Sequence, residues 1–243
     1  PAGHPDANPD EKHEGDLEAV EGLNRASWDL AFEGAIRIPG STNDAGNMNT
    51  APMVVPGNYR LRLTVAGESV EQPLTVLPDP RSDAAIDDLK AQVEFLIDIR
   101  DRISSITSDA EYLRGLREQL EARHGALSEE PRAAELIALG EAALESIVEI
   151  EKLLYNPNAK VNYDILAGRD GGAKLYSRYG WLYRTALDHN GPPTQGMREV
   201  SDELSALYQQ SRDRLGRLRD EDLRKLNDRA DELDITYLAV EAQ

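Results

Sequence analysis

The amino-acid sequence predicts an α+β protein with segregated parts: a small β-sandwich followed by an antiparallel bundle of long α-helices. Three observations carry this. Tyr59, Leu61, Leu63 and Val65 alternate with Arg60, Arg62 and Thr64, the period of a strand with one buried face. From Ile86 the period changes. Ile86, Leu89, Val93, Leu96, Ile103, Ile106, Ala110, Leu113, Leu116 and Leu120 recur at helical spacing, giving one apolar stripe. Between the two regimes stands Leu77-Pro78-Asp79-Pro80, and two prolines cannot continue a central strand.

Taken in order, residues 1–21 are rich in Pro, Asp, Glu, Asn and His and hold too few large apolar side chains to order themselves, so they read as a linker or arm. Asp6, Asn8 and Asp10 alternate like the start of a calcium loop. Glu11 stands where the turn glycine belongs and Leu17 where the bidentate glutamate belongs, so the pattern fails. Residues 22–80 form the predicted sandwich. Ala26, Trp28 and Leu30 make one inward set, with Trp28 at its centre. Residues 39–52 form a long loop, and Pro56-Gly57 suits a type II turn. Ala66-Gly67-Glu68 turns the chain into a partner strand with Val70, Leu74 and Val76 inward; Pro73 places that strand at an edge or a bulge.

Residues 81–240 form the predicted bundle. Its first helix spans about 82–124, capped by Ser82 or Asp83 and stopped by Gly125; it would be about 60 Å long. Ser104-Ser105 and Thr107-Ser108 mark a candidate kink. A second helix covers about 131–155, with Pro131 in its first turn. After an irregular stretch from Val161 to Gly172, helices follow at about 174–189 and 194–233, separated by His189-Asn190-Gly191-Pro192-Pro193. Residues 235–240 form an apolar tail that should dock. Long amphipathic helices must bury their stripes on one another, most economically as an antiparallel bundle, with pairing between two copies as a further expectation.

Composition narrows the chemistry. The 243 residues carry a formal charge of −18 and no cysteine. The charge disfavours nucleic acid and anionic membrane surfaces as partners. The lack of cysteine removes disulfides, thiolate metal sites and cysteine nucleophiles. No apolar run is long enough for a membrane span. The start Pro1-Ala2-Gly3-His4 lacks methionine and reads as a fragment of a longer polypeptide.

Reactive constellations are sparse. Asp87/Asp88, Glu129/Glu130 and Asp220/Glu221/Asp222 are adjacent carboxylates on helix faces, whereas glycoside hydrolysis needs two facing each other across a cleft. His4, His13, His124 and His189 are scattered, none pair at metal-binding helical spacing, and His124 suits a helix C-terminus. Gly168-Arg169-Asp170-Gly171-Gly172 is glycine-rich but follows no strand and lacks the Lys-Ser/Thr of a phosphate loop. The expectation is no catalytic residue, no metal and no cofactor. The one aromatic concentration, Tyr163, Tyr176, Tyr179, Trp181 and Tyr183, is the candidate for ligand or partner contact. Sugar rings stack on such side chains, but the 176-179-183 spacing is also that of core filling.

Three segments carry a resemblance. Gly22-Leu23-Asn24 with Trp28-Asp29, Ala51-Pro52 with Pro56-Gly57 and Tyr59, and Gln72-Pro73-Leu74 with Val76 and Asp79-Pro80-Arg81 resemble the C-terminal region of bacterial sortilin-like, BNR/Asp-box-repeat β-propeller proteins. Many of these are labelled glycosyl hydrolases. Val161-Asn162-Tyr163 and Gly191-Pro192-Pro193-Thr194-Gln195-Gly196 are similar to connectors in that family's helical tail. The first pattern also resembles the Ig-like domain of flagellar hook-cap proteins. The resemblance implies an upstream propeller in the same polypeptide that holds any glycan chemistry, and an exported bacterial protein. No Asp-box occurs in this chain, and no catalytic residue of the family carries over; Asn24, Trp28, Gly57 and Tyr59 carry over as structural positions. The functional expectation is a non-catalytic scaffold or docking region; the alternative is a carbohydrate-binding accessory module.

Overall fold

The computed structural model describes residues 20–45, 47–189, 191–235 and 237. Of the expected arm at residues 1–21, residues 1–19 lie outside the described residues, with His4, His13 and the Asp6–Asp10 pattern, as do residues 236 and 238–240 of the expected tail at 235–240. The protein is mixed α and β, with strands β1 (Gly57–Val65) and β2 (Glu68–Val76) and helices α1 (Ile86–Leu127), α2 (Ala134–Leu154), α3 (Asn162–Leu166), α4 (Leu175–Leu187), α5 (Gln195–Arg217) and α6 (Arg224–Glu232).

The helices pack as three antiparallel arms. α1 is the first. α2 runs back along its C-terminal half, so that Arg114 donates to the Tyr155 hydroxyl at 3.1 Å where α2 ends. α4 continues the same return path along the N-terminal half, ending where Gln92 donates to the Ala186 carbonyl at 3.0 Å. α5 and α6 form the third arm, lying on α4 first and α2 later; Arg229 of α6 reaches Glu135 of α2 at 2.8 Å. Most of the apolar stripe read from α1 goes into this core: Leu96, Ile103, Ile106, Ala110, Leu113, Leu116 and Leu120 are buried, Leu89 and Val93 are half-buried, and Ile86 at the helix start is exposed. No helix among the described residues is long and apolar enough to cross a membrane.

Local chemistry explains the helix ends. Pro131 opens a 3₁₀ turn ahead of α2, and the Glu130 side chain accepts from the Arg132 amide. Thr194 caps α5 by accepting from the Met197 amide at 3.2 Å. α1 departs from expectation at both ends. It begins at Ile86 without a side-chain cap, and it runs through Gly125 to Leu127. The predicted 194–233 helix is interrupted by a π-helical turn at Leu218–Leu223. The reason is in the stripe. Leu204, Tyr208, Ser211, Leu215 and Leu218 are buried at steps of three or four, but the next buried position, Leu223, is five residues on. In an unbroken α-helix that step would carry Leu223 about 140° away from the position above it. One wide turn absorbs the extra residue and returns Leu223, Leu226 and Ala230 to the core.

Where a sandwich is expected at residues 22–80, the described residues hold a two-stranded antiparallel sheet and an irregular strap. β1 and β2 pair from Gly57↔Val76 to Val65↔Glu68 around Ala66-Gly67. Both turn residues have positive φ, 50° and 87°, which matches the twist of a two-residue hairpin. Pro73 is tolerated because a two-stranded sheet has only edge strands. The described residues of 30–54 make no strand beyond the isolated Ala31↔Met53 bridge. They run out to Ile38 and return from Met48, joined by Phe32 to Pro52 and Val54 to Leu30 backbone bonds of 2.9 and 2.7 Å. This strap lies across α1 and α4, where Ala35, Ile38 and Met48 join the bundle core. Trp28, expected at the centre of a sandwich core, is 38% exposed; its indole donates to the Ala31 carbonyl and its ring meets Tyr59 edge-on at 6.1 Å.

Candidate functional site

The five aromatics singled out from the sequence do not converge. Tyr176, Tyr179 and Tyr183 lie on the inner face of α4 and are almost fully buried, whereas Trp181 on the outer face is 43% exposed. Tyr163, on α3, is exposed beneath the Arg169 guanidinium, 5.6 Å from its ring centre. The three buried hydroxyls are fasteners. That of Tyr176 accepts from the Ile38 amide at 3.2 Å, and that of Tyr183 donates to the Thr50 carbonyl at 2.7 Å. That of Tyr179 pairs with Ser205 of α5 at 3.3 Å. Burial pushes all three phenols up, Tyr183 to about 12, so they stay protonated and serve as hydrogen-bonding groups rather than bases.

Two of these tyrosines belong to a wider strap-holding surface. The Ile36 amide donates to Ser104 at 3.1 Å, and Thr107 donates to the Ile36 carbonyl at 2.9 Å. Arg100 donates to the Glu33 carbonyl at 3.2 Å and Arg114 to that of Pro39 at 2.8 Å. Of the polar residues of α1 that suggested a kink, Ser104 and Thr107 thus hold the strap, whereas Ser105 and Ser108 donate to the Asp101 and Ser104 carbonyls of their own helix. Gly180 makes the close approach feasible: a Cβ there would lie 2.8 Å from the Ala45 methyl and 2.9 Å from the Met48 sulfur. Beside this contact a cleft of about 620 Å³ opens between strap and helices, lined by Met53, Val54, Leu89, Val93, Arg184 and Leu187.

Buried acids serve the bundle. Asp109 of α1 accepts from the Tyr208 hydroxyl at 2.7 Å and from Arg212, tying α1 to α5. Burial holds its carboxyl above the usual carboxylate range, against the opposing pull of Tyr208 and Arg212. Glu151 of α2 pairs with Arg117 and with the Tyr155 hydroxyl. Asp164 accepts the Lys160 and Val161 amides at 3.0 and 3.2 Å, and these bonds lower its pKa. Sequence reading missed the Asp109 tie. Its signal was an acid inside an apolar stripe, between Ile106 and Ala110. Among the described residues no group of three or more His, Asp or Glu side chains is placed to hold a metal ion.

The surface that stands out is the hairpin. Register puts Tyr59, Leu61, Leu63, Val65, Val70, Leu74 and Val76 on one face. The other face is polar and paired within itself. Arg60 and Arg62 reach Glu71 at 3.0 and 2.6 Å, Thr64 meets Ser69 at 2.8 Å, and Thr75 donates to Asn58 at 2.9 Å. The amphipathic pattern therefore has an outside that is complete and an inside that is not covered. Leu61, Leu63, Val65 and Val70 remain 48 to 62% exposed, and no helix among the described residues is packed along the hairpin. Neither a protein-family model, a curated protein nor a solved structure matches this chain.

Proposed function

We propose that this chain is a non-catalytic scaffold and docking region of a larger, exported β-propeller protein. One observation carries the reading: the helices and the strap share one closed core, while most of the large apolar side chains left uncovered among the described residues lie ahead of Arg81. Val20, Leu23, Met53, Leu61, Leu63, Val65, Val70 and Leu77 are all exposed. A rigid helical spine that carries an incomplete β element suits a module that presents itself to a neighbour. The buried ionisable groups support the same reading, because Asp109, Glu151 and Asp164 are each engaged in packing bonds. The Ig-like sandwich belongs to this proposal, with the hairpin as one of its layers. The propeller rests on the resemblance of the Trp28-Asp29, Pro56-Gly57 and Asp79-Pro80-Arg81 segments to sortilin-like proteins. Pairing of two copies through helices needs a face other than the stripe of α1, which is spent inside the chain. Carbohydrate stacking would fall to Trp181 or Tyr163 singly.

The test is the polypeptide encoded ahead of residue 1. Repeated Asp-boxes there, with any glycan hydrolysis retained when residues 1–243 are removed, are the expected result. An upstream sequence without β repeats, or hydrolysis that resides in residues 20–237, overturns the proposal.

A further inference from the structure

We infer that the polar groove between α1 and the end of α5 is a binding site for a small dicarboxylate, gripped at its two ends by Arg212 and Arg219. The inference is independent of the scaffold reading, and either can fail alone.

The groove follows from two matched faces. Ser105, Ser108, Asp109 and Tyr112 recur at i, i+3, i+4 and i+7 along α1 and so share one side of that helix. Arg212, Leu215, Gly216 and Arg219 repeat the same spacing on the third arm, which the Asp109 bonds tie to α1. Between the two faces lies a cleft of about 430 Å³, within the size range of small-molecule sites. Gly216 keeps it open. A Cβ at that position would meet nothing within 4 Å, so no packed neighbour demands a glycine there. A glycine inside a helix costs stability relative to alanine, and what this one leaves clear is the groove. Arg219 stands on the π-helical turn, a departure that helices frequently show at functional sites.

The spare hydrogen-bonding capacity of the groove is donor capacity. The Tyr112 hydroxyl is closed off from water and has no hydrogen-bond partner among the described residues. Burial raises its pKa, so it keeps its proton, and the neighbouring Arg219 charge acts on it. An oxyanion seated on Arg219 supplies the acceptor that water does not. Among the described residues Asp109 engages Arg212 through Nη1, and Asp220 engages Arg219 through Nε and Nη2. Each guanidinium carries further N–H groups, and both side chains are about half exposed. The lining holds two cations and one acid, the reverse of a chain with 45 acids and 27 bases. An anion therefore finds here a local field that the rest of the surface does not offer.

The shape of the ligand follows from the spacing. Arg212 and Arg219 are about 10 Å apart along the helix axis, so a ligand that meets both meets them at different levels. Leu215, 8% exposed, lies between them beside Gly216. A cation, an apolar wall and a second cation complement a short hydrocarbon with a carboxylate at each end, a chain of about four to six carbons.

The experiment titrates the 243-residue chain by calorimetry with succinate, glutarate and adipate, and with acetate and inorganic phosphate at matched ionic strength. The best dicarboxylate should bind roughly tenfold tighter than acetate or phosphate. Tyr112→Phe should weaken it several-fold without lowering the melting temperature, because the hydroxyl has no partner to lose. Arg219→Gln should reduce it to the level of acetate. Gly216→Leu should abolish it with helical circular dichroism retained, because the new side chain enters open space. Arg178→Gln, which removes the pair with Glu203 elsewhere on the surface, should leave binding unchanged. Dicarboxylates no tighter than acetate overturn the inference. So does phosphate that binds as tightly as the best dicarboxylate, or full affinity in Tyr112→Phe and Arg219→Gln.

Discussion

Asp109 shows what a buried charge does to this bundle. Its raised pKa means that the folded state prefers the protonated acid. That contribution is whole below the ordinary carboxylate pKa and is lost as pH rises through the raised value. Asp109→Asn does not titrate and keeps an acceptor for Tyr208. Its stability relative to wild type, from urea melts, should increase as pH goes from about 3 to about 7; a difference that stays constant with pH contradicts the assignment. Asp109→Ala leaves the Tyr208 hydroxyl buried without its acceptor and should cost roughly 1–3 kcal/mol. The aromatic residues teach a related lesson. Spacing alone placed Tyr176, Tyr179 and Tyr183 on one face and Trp181 off it. What spacing could not give was the identity of their partners, because Ile38 and Thr50 lie more than 130 residues away in the chain.

Elements were legible where the pattern is local. The stripe of α1, the Pro131 start, the helix start near Thr194 and the alternation of β1 follow from nearest neighbours along the chain. The strap was not legible, because an extended segment that lies on helices has the same mixed composition as one that pairs in a sheet. Trp28 and Leu30 therefore read as sandwich core. The π turn was half legible: the five-residue step from Leu218 to Leu223 stands in the sequence, but its absorption by a wide turn is a tertiary outcome. Deletion of the exposed Glu221 shortens that step to four and should leave helicity and melting temperature intact or slightly raised. Deletion of the exposed Gln210, on the regular part of the stripe, should melt the C-terminal half by circular dichroism; equal effects of the two deletions contradict this account. Gly180→Val should unseat the strap. New proteolytic cuts between residues 39 and 50, with helicity retained, are the expected signature, and an uncut strap would show that the close approach at Gly180 is dispensable.

On the scale of the whole molecule, the strap and the bundle form one core, although the sequence divides at Pro80. Ile38 and Met48 are each 1% exposed within the helical cluster. Their removal takes away roughly 3–6 kcal/mol of apolar burial. A chain beginning at Arg81 should remain helical but melt on the order of 10 °C lower; an unchanged melting temperature would make the strap a passenger. The change of period at Pro80 divides the chain by secondary structure, while Ala35, Ile38 and Met48 pack in the helical core, since periodicity reports which face of an element is apolar and not which element covers it.

The hydrogen bonds that the helices send to the strap go mainly to its main chain. Ser104, Thr107, Tyr176, Tyr183, Arg100 and Arg114 all reach amides or carbonyls of residues 33–50. A grip of that kind is indifferent to most side chains it holds. The strap is free to drift in sequence wherever its residues face water, while Ile38, Met48 and the small residues at 34, 35 and 45 stay fixed by space. Related chains should therefore preserve the holders on the helices more faithfully than the segment that they hold.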